Sequence, residues 1–163
     1  MVVRRAEPGD LPRLMEIYRI AQDYMIRSGN PTQWARVYPE EELVRRDIEQ
    51  GISYVVCEEG RPCGVFALMA GEDPTYRYIE DGAWLNDEPY LTIHRVASDG
   101  TAHGVFTCVA NHCKTLAPNL RIDTHHMNLT MQRQIERNGF VRCGTIYVLD
   151  GSPRIAYQWH DGL

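Results

Sequence analysis

The segment Leu91-Thr92-Ile93-His94-Arg95-Val96-Ala97 is β-rich and runs through a glycine-bearing turn, Ser98 to His103, straight into a helical stripe at Val105, Phe106, Val109, Cys113 and Leu116. A strand that turns so quickly into a helix, expected here from about Ala102 to Leu116, commits the chain to a sheet with helices laid upon it. Pro118-Asn119 breaks that helix, and Leu120 to Thr124 reads as the next strand.

The rest of the chain extends the pattern. Val2-Val3 can open the sheet. Asp10 precedes Leu11, Leu14, Ile17, Tyr18, Ala21 and Met25 at helical spacing, with Gly29 behind them, so an N-capped amphipathic helix is expected. Asn30 to Tyr38 is a loop, and Glu40 to Gln50 a short second helix ending at Gly51. Strands are expected at Ile52 to Cys57 and Cys63 to Met69, then a helix from Asn128 to Asn138 closed by Gly139. Phe140 to Val148 and Arg154 to Trp159 complete a strand pair across Leu149 to Pro153. The sum is a mixed, mostly antiparallel α/β sheet with helices on both faces, in one domain spanning residues 1–163.

Composition excludes several classes. At 163 residues, 44% hydrophobic and 24% charged, the chain has the make-up of an ordinary globular domain. No stretch reaches the roughly 18–20 apolar residues of a membrane span, and Met1-Val2-Val3-Arg4-Arg5 lacks a signal peptide's apolar run, so a soluble cytoplasmic protein with no membrane partner is expected. Five cysteines without metal-ligand spacing fit reduced thiols. The net charge of −5 argues against nucleic acid. All of that charge sits between Gly71 and Tyr90, where six acids face one base, while the remainder is balanced. Tyr76, Tyr78, Trp84 and Tyr90 share the stretch. It is either a solvated excursion between strands or a rim that draws in a cation.

The junction Ala97 to Gly104 points unsatisfied amides and a helix's positive end at one spot, which suits an anion such as a pyrophosphate. An ordinary strand-to-helix turn is the alternative. With no Gly-Lys-Ser/Thr and no three-glycine pattern, neither a Walker loop nor a dinucleotide fingerprint is present.

Three motifs in order, Val3-Arg4-Arg5-Ala6-Glu7-Pro8-Gly9-Asp10-Leu11, the strand His94-Arg95-Val96 leading to Gly104, and Asn128 followed by Gly139-Phe140, resemble the GNAT N-acetyltransferase superfamily over essentially the whole chain. The resemblance implies acetyl-CoA as co-substrate, seated in a splay between two central strands, and an amine acceptor, either a small molecule or a peptide. It implies that His94, Arg95 and Val96 offer backbone groups to pantetheine. Thr101, Ala102, His103, Gly104, Val105 and Phe106 would wrap the pyrophosphate, and Asn128, otherwise an N-cap, would contact the cofactor arm. Dimers are common in the superfamily, so a homodimer is a candidate assembly.

The sequence departs from the family pattern at Thr101, where an Arg or Gln is usual, at Phe106, where a small residue is usual, and at Ile135, where a proton-donating Tyr often stands. The acid and base must therefore come from elsewhere. His125 and His94, beside the expected splay, are candidate proton carriers because imidazole titrates near neutrality. Glu88 is an alternative base and Tyr147 an alternative acid. Both histidines can equally be structural. Adjacent strand residues point to opposite faces, so His125-His126 is not expected to hold a metal. Trp34 and Tyr38 fall where the superfamily commonly builds its acceptor site, and Tyr90 joins them as a substrate-binding candidate. An acetyltransferase acting by direct attack is the expected function. The rival is a GNAT-like module that binds acyl-CoA without catalysis.

Overall fold

A computed structural model describes residues Met1–Leu163. The elements follow the order β1 (Val2–Arg5), α1 (Leu11–Arg27), α2 (Glu41–Glu49), β2 (Ser53–Glu58), β3 (Arg61–Ala70), β4 (Leu91–Ser98), α3 (Val105–Leu116), β5 (Asn119–Thr124), α4 (Leu129–Arg137), β6 (Val141–Tyr147) and β7 (Pro153–His160). Seven strands form one sheet in the order β1-β2-β3-β4-β5-β7-β6. Every neighbouring pair is antiparallel except β4 and β5, which run parallel.

Two boundaries differ from the sequence expectation for local reasons. Gly104 adopts φ 77, a left-handed conformation that no helix interior accepts, so α3 begins at Val105 rather than Ala102. Asp10 does not cap α1 with its side chain. Its carboxylate instead takes two bonds from Arg4, at 2.8 and 3.0 Å, and one from the Glu7 amide at 2.7 Å.

The sheet is covered on both faces. Leu14, Ile17, Tyr18 and Met25 of α1 and Val44 and Ile48 of α2 pack on Val55, Val65 and Ala97. On the other face, Val109, Ala110 and Cys113 of α3 join Ile135 and Phe140 over Phe66, Ile93, Leu120, Ile122 and Tyr157. No helix is long and apolar enough to cross a membrane.

The acidic excursion is a folded cover over the second half of the sheet. Tyr76 is buried with Ile146 and Ala156, and Trp84 and Tyr90 pack against that cluster. The Arg121 guanidinium lies between the Trp84 and Tyr90 rings, 4.0 Å from each centroid, an arrangement that stabilises a buried cation without a carboxylate. A two-way bond between the Glu80 and Thr145 backbones ties the segment to β6. Glycine is required at that seam, because a Cβ on Gly82 would lie 1.9 Å from the Cys143 carbonyl oxygen and one on Gly144 would lie 2.6 Å from that of Glu80. Of the aromatic residues expected at a cation-attracting rim, Tyr76, Trp84 and Tyr90 are therefore packing residues, while Tyr78 stays exposed beside Tyr147. Of this segment's acids, Glu72 and Asp73 alone reach the cavity described below.

Candidate active site

β4 and β5 pair only at Leu91 with Leu120 and Thr92 with Arg121, then separate. The separation coincides with a bulge, since Phe66 of β3 faces both Arg95 and Val96 as the register shifts between Val65 and Ala67. Arg95 sits at φ 52, a conformation that costs a non-glycine residue roughly 1–2 kcal/mol. Surrounding contacts offset this. The Tyr18 hydroxyl donates to the Arg95 carbonyl at 3.0 Å, and the guanidinium holds buried Asp47 at 2.8 and 2.9 Å and the Tyr38 hydroxyl at 3.1 Å. The Arg95 side chain thus pins the bulge, while its backbone edges the gap.

The gap opens into a cavity of about 680 Å³. His94, Arg95 and Val96 line one side and Ile122, Asp123 and Thr124 the other, with Trp34, Tyr38, Asp73, Asn128 and Arg154 around them. Trp34 is also core, edge-on to Tyr18 with ring centroids 5.8 Å apart, while lining the cavity. The Thr92 and Thr124 hydroxyls are buried at this cavity without a partner.

His94 Nε2 lies 3.1 Å from Asp73 Oδ2. Burial alone would raise the Asp73 carboxyl, but hydrogen bonds from His94 and from the Thr75 side chain and amide outweigh it and hold the group at about 2. A carboxylate kept ionised can only accept, so Nε2 carries the proton of neutral His94 and leaves Nδ1 as its lone-pair nitrogen. Nδ1 has no partner within the protein. The sign of the linkage follows from the depressed value. The bonds from His94 and Thr75, net of burial, stabilise the fold by roughly 2 kcal/mol above the unfolded carboxylate value of 3.8, and the contribution is lost as pH falls from there towards 2. Thermal melts between pH 7 and 2 should show that loss, and Asp73→Asn should remove it.

Four candidate residues lie outside the lining of the cavity. His125 Nδ1 accepts the Met127 amide at 3.0 Å, and Nε2 faces Thr32 Oγ1 at 3.4 Å, so its lone pair shapes the turn before α4. Burial, with the Arg154 and His126 charges, lowers its pKa, yet the neutral ring has no free acceptor. Because β5 ends at Thr124, strand alternation does not separate it from His126, and the two rings stack at 4.4 Å. Glu88 is exposed beside the closed end of the splay, with its carbonyl on Asn119. Tyr90 packs on Arg121 and accepts the Asp73 amide at 2.8 Å, outside the cavity. Tyr147 is likewise remote, bonded to Glu80.

At the start of α3, the amides of residues 102–107 meet no acceptor within the protein. Those of Val105, Phe106 and Thr107 open the helix. Thr101 turns its hydroxyl and amide to Asp99, at 2.6 and 2.9 Å, and Arg13 neutralises that carboxylate from the other side. Val105 and Phe106 send their side chains into the core, where the Phe106 ring faces Phe140 at 6.5 Å. Thr101, His103 and Gly104 are exposed. Asn128 caps α4 through Met131 and donates to Gln33 at 3.0 Å, so its amide is already engaged. No cluster of three or more potential metal ligands forms.

Sequence reasoning counted Asp73 among the acids of the stretch but missed it as the partner of His94, and missed Arg154 altogether. Asp73-Pro74-Thr75 carries the local signature of an Asx turn, but nothing in it signals a partner on β4. Arg154 looks like one more polar strand residue.

No protein-family model and no curated protein matches the chain. Solved structures do. A GNAT-family acetyltransferase from Streptococcus agalactiae is 30% identical, with a TM-score of 0.90 over 98% of this chain and 95% of its own. The ribosomal-protein-alanine N-acetyltransferase of Brucella melitensis matches at 17% identity and TM-score 0.66, covering 98% of this chain and 99% of its own. An aminoglycoside acetyltransferase, AAC(6')-Ib, in complex with coenzyme A and kanamycin matches at 19% identity and TM-score 0.67, covering 99% and 95%. The likeness to the streptococcal protein, close in identity and nearly complete in length, shows that this chain belongs to the GNAT family of acetyltransferases.

Proposed function

We propose that the protein transfers the acetyl group of acetyl-CoA to a primary amine by direct attack. The observation that carries this reading is the His94–Asp73 pair facing a cavity at the splay. The unsatisfied amides at the start of α3 suit the pyrophosphate, and the unpaired edges of β4 and β5 suit the pantetheine amides. That a structural neighbour holds coenzyme A supports the same assignment.

In this reading the bound ammonium gives a proton to His94 Nδ1, and Asp73 stabilises the imidazolium. The amine lone pair then attacks the thioester carbonyl carbon. As the carbon–sulfur bond breaks, the partnerless Thr92 and Thr124 hydroxyls are available to the oxygen or the sulfur that gains charge. The imidazolium gives its proton to the departing thiolate, and the attacking nitrogen, now the amide nitrogen, releases its second proton to solvent. A tyrosine at Ile135 could not serve without rebuilding the core, because that side chain is fully buried.

A covalent enzyme intermediate has no support. No cysteine lines the cavity, and burial pushes the Cys113 thiol up to about 12. Initial rates across a panel of primary amines should give intersecting double-reciprocal lines. Parallel lines would mean a covalent intermediate, and tight acetyl-CoA binding with no transfer to any amine would favour the non-catalytic acyl-CoA module.

A further inference from the structure

Among the buried and half-buried guanidinium groups on and against the sheet, Arg154 has neither a carboxylate nor an aromatic ring against it. Arg95 has Asp47, Arg13 has Asp99, and Arg121 has two aromatic rings and the Asn86 carbonyl. Arg154, on β7, is only 8% exposed, yet no carboxylate lies within 4.0 Å and no ring stacks on it. Its one bond runs from Nη1 to the carbonyl of its neighbour Pro153, at 2.9 Å. That leaves Nε and Nη2, the edge of the guanidinium whose two parallel N–H groups fit a carboxylate in a bidentate pair.

Arg154 lines the same cavity as His94 and Asp73. Side chains alternate along β7, so Arg154 shares a face with Ala156, which packs under Tyr76 of the acidic segment, while Ile155 points into the core beneath α3. It therefore stands on the side of the sheet opposite α3, away from the amides that suit a pyrophosphate. Acidic groups also surround the cavity, with Glu72 and Asp73 from one segment, Asp123 from β5 and Asp150 from the β6–β7 turn. Asp123 takes the Tyr76 hydroxyl; Asp150 takes Ser152, whose bonds and, to a lesser degree, the Arg154 charge lower its carboxyl, but neither carboxylate lies within ion-pair distance of Arg154. A buried cation without a counter-ion is unfavourable for folding. Placed among acids in an open cavity, it makes a site with poles of both signs.

We infer that Arg154 anchors a carboxylate carried by the amine acceptor, so that the acceptor is an amino-carboxylate such as an amino acid or a short peptide with a free carboxyl end. This rests on the amine-transfer reading above and narrows it. Acids around His94 suit the ammonium, and the free edge of Arg154 suits the opposite end of the same molecule.

The test pairs acceptors that differ only in that end: glycine, glycylglycine and 6-aminohexanoate, each against its carboxamide. The wild-type enzyme should favour at least one acid over its amide tenfold or more in kcat/KM. Arg154→Gln should bring that ratio close to one through the KM of the acid, leaving the amides and acetyl-CoA affinity unchanged, and Arg154→Lys should retain part of the preference. Wild-type ratios near one for all three pairs, an equal loss for acid and amide in Arg154→Gln, or weakened acetyl-CoA binding in that variant would overturn the assignment. Calorimetry with N-acetylglycylglycine and its amide, in the presence of CoA, reads the anchor without turnover. Arginine-dependent binding of the acid with no transfer to any amine would keep the anchor and remove the transferase reading. Transfer with no acid preference and no arginine-dependent binding would do the reverse.

Discussion

Replacing His94 by Gln lowers turnover by roughly 10² to 10⁴, the range that general base catalysis supplies, with acetyl-CoA affinity unchanged. Glutamine keeps a donor for Asp73 and roughly the size of the ring, so a merely structural His94 would show little effect. The pH profile separates the two roles further. Without an internal base the reaction depends on amine already deprotonated in solution, and the deficit of His94→Gln should shrink as pH rises towards the pKa of the acceptor. His125→Gln is the contrasting variant, expected to keep its turnover and lose stability, because its Nδ1 serves the Met127 amide. Full activity in His94→Gln at neutral pH would leave solvent as the base.

The second large effect is expected at Gly104, which opens α3 at φ 77. An Asp there meets two penalties. The left-handed conformation costs a residue with a Cβ roughly 1–2 kcal/mol, and a carboxylate some 4 Å from a phosphate charge near a protein surface repels it by about 4 kcal/mol before salt screening. Acetyl-CoA affinity should fall at least about 100-fold, a change of roughly 2.7 kcal/mol. Calorimetry separates the causes. Gly104→Ala carries the strain without the charge and should lose far less, while pantetheine, which lacks the phosphates, should bind Gly104→Asp as it binds the wild type. Normal acetyl-CoA binding by Gly104→Asp would place the pyrophosphate elsewhere.

What was legible in the sequence follows from the range of each signal. The element order depends on local periodicity and turn chemistry, and Glu58 to Pro62 and Leu149 to Pro153 do join neighbouring antiparallel strands. The turn into α3 was legible for the same reason. His94 was legible only as one candidate proton carrier beside His125, because the carboxylate that singles it out lies 21 residues earlier in the chain. The bonds of His125 were not legible, because position near a strand end says nothing about which ring nitrogen a turn amide will occupy. Trp84 and Tyr90 read as surface aromatics because Arg121, the cation they enclose, lies in a strand more than thirty residues along. Arg154 was invisible because what distinguishes it is the lack of a partner.

Two residue pairs make up the whole backbone ladder between β4 and β5. The sheet is thus two half-sheets, β1 to β4 and β5 to β7, and the side chains beneath α3, which packs on β1, β2, β3 and β5, supply most of what bridges them. On the proposed function, acetyl-CoA in that gap would stand where a further strand would stand, and its pantetheine amides would complete a ladder the chain leaves open. Its binding energy then becomes cohesion of the molecule, worth about 2.7 kcal/mol at a hundredfold excess over Kd. Local opening is easiest where pairing is thinnest, so on the proposed function the seam along which the halves part would be the line on which acetyl transfer takes place, and occupancy by substrate would close it.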